Sequence, residues 1–182
     1  MKRGFTLIEV MVAMALALLL IVVILISTVT INKVSVKLYK KYEISLKSKI
    51  FLNKITKDLN KNNPPFSGKN PIISLNSNSI EFYSVRIASS NSNPEPTIVN
   101  IIVNSSNVNN GVSYVVDKKE YSLNGSVLED RRYTFFIESQ ASKFEFYNLQ
   151  NVVIRIYLKN QFNFRNQKHE IYYKVDVPVN IQ

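Results

Sequence analysis

Cysteine is absent from the 182 residues, histidine occurs once, at position 169, and glycine only four times. Without cysteine there is no disulfide framework, no thiolate metal site and no thiol nucleophile. If the chain is exported, it must hold its fold by core burial alone. A single histidine argues against a histidine-ligated metal cluster and against a Ser-His-Asp triad. Paired carboxylates, a glycine-rich phosphate loop and a nucleophile elbow cannot be read either. No catalytic residue, metal ligand or cofactor is therefore assigned, and the chain is not read as an enzyme.

Charge is also missing over one long stretch. From Val10 to Ile31, 22 consecutive residues include no charged residue, no proline and no glycine. As an α-helix rising about 1.5 Å per residue, that stretch spans the roughly 30 Å hydrocarbon core of a bilayer. One carboxylate, Glu9, sits at its start, just after Lys2-Arg3-Gly4-Phe5. A cleaved secretory signal would have a shorter apolar core followed by a small-x-small site. This run leads instead into "STVTINKVSVKLYKKYE". A plain signal anchor leaves Glu9 without a reason. Cleavage ahead of the apolar run is the third reading.

What charge there is lies unevenly. The formal balance is +10, and Lys33 to Lys61 holds nine lysines against Glu43 and Asp58. From Asn62 onward twelve cations face ten anions. A basic block directly after an apolar run favours a membrane surface or a protein partner over a groove reader.

"KRGFTLIEVMVAMALALL" resembles the N-terminus of type IV prepilins and type II secretion pseudopilins. In that family a short basic leader ends in glycine, a prepilin peptidase cuts after it, and the new N-terminal phenylalanine is methylated. The resemblance implies a leader at residues 1–4, cleavage between Gly4 and Phe5, methylation of Phe5, and Glu9 as the family's signature glutamate. The physics of the residues agrees. Gly4 lets the backbone enter a narrow protease cleft, and Lys2 and Arg3 favour a cytoplasmic leader. Lys33 to Lys49 place more positive charge on the far side, so the leader is taken to dominate the topology. A carboxylate in hydrocarbon costs a few kcal/mol and normally has a partner. Cutting after Gly4 creates an α-amine at Phe5, one helical turn from Glu9. Within a filament, Glu9 of one subunit could neutralise that amine on another and set the axial register. The mid-span helix-breaking proline of many major pilins is absent, its place being taken by Ile26.

Residues 5–31 are thus expected to form a transmembrane and assembly half of one helix, and 32–61 an amphipathic half. Val34, Leu38, Tyr42, Leu46 and Ile50, then Phe51, Ile55 and Leu59, are taken as its packing stripe. "NKNNPPFSG" should stop it near Asn60, which gives a helix of roughly 80 Å. Residues 62–182 alternate apolar and polar, as in "SKFEFYN", "VVIRIYLKN" and "EIYYKVDVPV", and predict seven to nine half-solvated antiparallel strands. Turns are predicted at Asn110-Gly111 and, as a two-residue hairpin turn, at Asn124-Gly125. The polar run from Ala88 to Thr97 is predicted to be a loop. The fold class is α+β: a pilin-like long N-terminal helix packed on an antiparallel sheet domain.

The segment order "IEFYSVR", "VSYVVDKKEYSLNGSVLEDRR", "SKFEFYN", "VVIRIYLKN", "EIYYKVDVPVN" resembles minor pilins and pseudopilins of the PilW and secretion-protein-J type. That resemblance implies a subunit that helps initiate a filament. Its partners would be other pilin or pseudopilin subunits, the prepilin peptidase, an inner-membrane assembly platform and membrane lipid. Two other readings stay open. Lys33, Lys37, Lys40 and Lys41 could contact DNA phosphates, against the plainer reading of a solvated or headgroup-facing helix side. The chain could also be a signal-anchored extracytoplasmic protein with no filament role. Glu129 to Arg132 is read as an exposed charge cluster, and His169 as an exposed strand residue.

Overall fold

A computed structural model describes residues 6–62, 70–87, 93–109, 111–149, 153–164 and 167–179. Among the described residues one helix, α1 (Leu7–Leu59), runs for 53 residues. No proline or glycine occurs within it, so nothing interrupts its hydrogen-bond ladder. The hydroxyls inside the apolar run are satisfied locally. Thr28 donates to Ile24 O and Thr30 to Ile26 O, both at 2.9 Å. In hydrocarbon that back-bonding spares the hydroxyls an unmet donor. By compactness the chain divides after Tyr42.

In the first part, the apolar side chains of α1 are solvent-accessible on every side. The second part begins at Glu43 and holds the last turns of α1 and all the strands. There α1 buries Ile44, Ser48, Phe51, Leu52, Ile55, Asp58 and Leu59. The predicted stripe is corrected by this. Phe51, Ile55 and Leu59 are in the core, but Val34, Leu38, Tyr42, Leu46 and Ile50 are all exposed. Strict four-residue steps overshoot a turn by about 40° each, so such a row winds around the helix. A buried face needs steps of three and four in alternation, as from Ile44 to Ser48 to Phe51 to Ile55.

Among the described residues eight strands follow, all paired antiparallel: β1 (Ile72–Leu75), β2 (Ser79–Arg86), β3 (Glu95–Val108), β4 (Gly111–Ser122), β5 (Val127–Ile137), β6 (Ala141–Leu149), β7 (Val153–Phe164) and β8 (Gln167–Pro178). They form two sheets in plain meander order, β1 to β5 and β6 to β8, rather than one. Alternation sets the faces. In β7, Ile154, Ile156, Leu158, Asn160 and Phe162 are buried, whereas Arg155, Tyr157 and Lys159 are half-buried on the outer face.

Phe51 is where the three elements meet. Its ring stacks on Tyr114 of β4 at 4.8 Å and meets Phe135 of β5 and Phe144 of β6 edge-on at 5.2 and 5.5 Å. A polar chain crosses the same core. The Tyr114 hydroxyl donates to Ser142, Ser142 to Asn160 Oδ1 at 2.6 Å, Asn160 to Ser48 Oγ at 2.7 Å, and Ser48 to Ile44 O at 2.6 Å. It joins both sheets to the helix, and each buried polar group has a partner in the next. Burial raises the Tyr114 phenol to about 12, against the opposing pull of Ser142.

Several turns differ from expectation. The β4–β5 hairpin closes through Gly125 N–H to Ser122 O and Ser122 N–H to Ser126 O, both 2.9 Å, with Gly125 at φ +88°. That is a three-residue loop with glycine in the left-handed position, not a two-residue turn. Gly111 is not in a turn: it pairs with Val108 as the first residue of β4. A Cβ there would lie 2.4 Å from Ile137 O and 2.7 Å from the Phe136 ring, so close packing requires the glycine. Asn110 lies outside the described residues. Glu95 to Thr97, predicted as loop, open β3, and Pro96 pairs with Val85 beyond the point where β4 begins to pair. Proline is tolerated where one side of the strand is unpaired. Ala88 to Ser92 lie outside the described residues.

His169 is half-buried rather than exposed. It stacks on Phe162 at 5.3 Å because it lies on the inner side of β8. The Glu129 to Arg132 cluster is on the surface, where Arg131 pairs with Glu129 and Arg132 with Asp117.

Candidate assembly site at the start of the long helix

The helix begins with Thr6-Leu7-Ile8-Glu9. Thr6 N–H donates to Glu9 Oε2 at 2.8 Å, and the Thr6 hydroxyl donates to the same oxygen at 3.0 Å. In return, Glu9 N–H donates to Thr6 Oγ1 at 3.3 Å. This reciprocal pair is a capping box, and it satisfies two of the amides that a helix start leaves unpaired. The carboxylate also lies at the positive end of the helix dipole.

Glu9 therefore has a local structural use besides the one expected from the family resemblance. Sequence reasoning missed Thr6, although the signal was present: Thr-x-x-Glu directly ahead of an apolar run is the spacing of a capping box. Among the described residues, Glu9 Oε1 accepts no hydrogen bond. Half of the carboxylate thus stays available to a donor from elsewhere. Gly4 and Phe5, the predicted cleavage and methylation residues, lie outside the described residues.

Beyond Glu9 the helix is apolar for the length of a bilayer. Leu16, Leu18, Leu19, Leu20 and Ile24 are each more than half exposed. This is the one helix of the described chain long and apolar enough to cross a membrane. Such a surface is unstable in water and stable in lipid or against other apolar helices.

The four candidate lysines fall on the same helix. Lys33 and Lys41 are exposed, whereas Lys37 and Lys40 are half-buried. Their spacing, i, i+4, i+7 and i+8, puts all four on one side of the helix, within an arc of about 100°.

Residues 1–29 match the model of the prokaryotic N-terminal methylation motif. No curated protein and no solved structure matches the chain. The motif, the apolar helix that carries it and the helix-on-sheet architecture support a pilin- or pseudopilin-like chain, N-terminally processed and membrane-anchored.

Proposed function

We propose that this chain is a minor pilin or pseudopilin: a structural, non-catalytic subunit that helps initiate a type IV pilus or type II secretion pseudopilus. In this reading it is made as an inner-membrane precursor with its strand domain outside the cytoplasm. A prepilin peptidase removes Met1 to Gly4, and Phe5 becomes the methylated N-terminus. The observation that carries the reading is the methylation motif of residues 1–29 leading without a break into one helix, whose last turns form part of a folded domain's core. A helix so built can pass from lipid into a fibre while its domain stays folded.

Glu9 is the residue on which assembly turns. Its Oε2 is engaged by Thr6 and its Oε1 is open to an ammonium. An α-amine from a neighbouring subunit would complete that site. The pairing would be worth most in hydrocarbon, where an uncompensated charge is costly. Other subunits, the peptidase, the assembly platform and lipid are the partners this implies.

The test begins with the mass of the full chain purified from peptidase-positive and peptidase-negative cells. The expected product starts at Phe5 and carries one added methyl group in the first strain only. An intact Met1 in peptidase-competent cells would make the protein a signal-anchored one instead. With processing established, Glu9→Gln is expected to leave cleavage intact and abolish recovery in sheared filaments. Undiminished recovery would end the register mechanism.

A further inference from the structure

The C-terminal end of α1, the residues just past it and strands β2, β3, β4 and β5 line an open cleft of about 390 Å³. Six cations line it: Lys54 and Lys57 from the end of α1, Lys61 just past it, Arg86 from β2, Lys118 from β4 and Arg131 from β5. Three carboxylates accompany them, Asp58, Glu120 and Glu129, and each is already engaged. Asp58 holds the buried Lys118 at 3.1 Å and accepts the Tyr133 hydroxyl at 2.8 Å. Glu129 pairs with Arg131, and Glu120 accepts from Thr97 Oγ1 at 2.9 Å.

What is left over is positive. Among the described residues, Lys54, Lys57, Lys61 and Arg86 have no carboxylate partner. The Lys54 ammonium lies over the Tyr133 ring at 5.3 Å, and Arg86 spends one nitrogen, Nη1, on Leu128 O at 3.3 Å. Helix-dipole compensation accounts for lysines in the last turn. It does not account for Arg86, which a sheet strand contributes from a distant part of the sequence. Gathering these charges into one concavity costs repulsion unless an anion relieves it, and the concavity focuses their field.

We propose that this cleft is a binding site for a compact phosphate-bearing anion. Arg86 presents the planar fork that matches two phosphate oxygens, and Lys54, Lys57 and Lys61 supply point charges around it. Asp58 and Lys118, which also line the cleft, are already paired with each other, and Tyr133 behind them donates to Asp58. A volume of this order suits a small ligand rather than a polymer. The site is made only of residues from the folded domain, so it stands or falls separately from the filament reading.

The probe is inorganic pyrophosphate, titrated by calorimetry into the full chain in nonionic detergent at constant ionic strength. Saturable binding to one site is expected, together with a saturable rise in thermal midpoint that chloride of matched ionic strength does not give. Lys57→Gln/Arg86→Gln should weaken binding by roughly tenfold or more, the loss of about one good charge-assisted contact. Lys33→Gln/Lys41→Gln removes the same charge elsewhere and should change the affinity by less than about twofold. Heat without saturation, or equal weakening by both pairs, would reduce the effect to diffuse charge and overturn the site. Should the cleft variant unfold, the wild-type midpoint decides: no pyrophosphate-specific rise overturns the proposal.

Discussion

The two stretches of α1 have the same backbone and opposite surroundings. Between Val10 and Ile31 the side chains are apolar and exposed all round, so propensity and local hydrogen bonds alone hold the helix in water. Between Glu43 and Leu59 only one face is apolar enough to bury, and that face forms the centre of a core. The first stretch is stabilised by whatever solvent it is given, lipid or neighbouring helices. The second brings its own solvent in the form of two sheets. One continuous helix can thus serve a membrane and a fold because its hydrophobic pattern changes from all-round to one-sided along its length.

The sharpest way to break the comparison is Phe51→Ala against Leu20→Ala. Phe51 is fully buried between β4, β5 and β6, and its removal should cost about 3–5 kcal/mol in denaturant unfolding of the detergent-solubilised chain. Leu20 is mostly exposed, and its truncation should shift the same midpoint by no more than about 0.5 kcal/mol. Equal effects would mean that the apolar run takes part in the domain's cooperative unit.

Charge gives a second, somewhat smaller contrast. Asp58→Ala leaves Lys118 buried without its carboxylate and should cost about 3 kcal/mol. The double variant Asp58→Ala/Lys118→Met should recover much of that loss. Glu43 makes an i,i+4 pair with Lys47 at 2.7 Å, about a third exposed. Glu43→Ala should cost no more than about 0.5 kcal/mol by the same unfolding measurement. Burial, rather than the presence of an ion pair, decides the size of each effect.

Acid provides the mildest test. On the outer face of β6 to β8, three carboxylates are held below their ordinary values. Arg155 does this to Asp176 through bonds of 2.7 and 2.8 Å; Tyr172 and then Lys159 do it to Glu170; Lys143 and then Tyr147 do it to Glu145. A lowered folded value means stability that is complete above the ordinary carboxylate range near pH 4 and lost as pH falls through the lower folded values. The unfolding midpoint should therefore fall between about pH 4 and pH 2, by less than in either core variant, because these pairs lie at the surface, only partly shielded from water. Arg155→Met should shrink that fall. A midpoint unchanged down to about pH 2 would show that the three pairs add nothing to stability.

Some of this was legible in the residues and some was not, for definite reasons. The apolar run, the break at Asn60 and the alternation in "VVIRIYLKN" are local patterns, and each appears where expected. The helix stripe was misread because four-residue spacing looks regular in text but drifts around a cylinder. Gly111 was assigned to a turn because Asn-Gly favours turns. In the fold, Phe136 and Ile137 of β5 need the missing Cβ more than a turn needs the glycine. His169 was placed outside because its neighbours are charged, yet inner and outer positions alternate singly along β8. Glu9 was legible as an unusual carboxylate, whereas its hydrogen bonds to Thr6 were overlooked.

The order of residues was enough by itself to determine that a membrane-length apolar helix begins close behind two cations and beside a glutamate, and that strands follow it. Those features rest on interactions between near neighbours: backbone rise, apolar transfer, capping and alternation. Only the tertiary structure decided that the strands split into two sheets, that Asp58 meets Lys118, and that Arg86 joins Lys54, Lys57 and Lys61 around one cleft. These are meetings between residues from 25 to 60 positions apart, and their geometry is set by the packing of whole elements rather than by any stretch read alone.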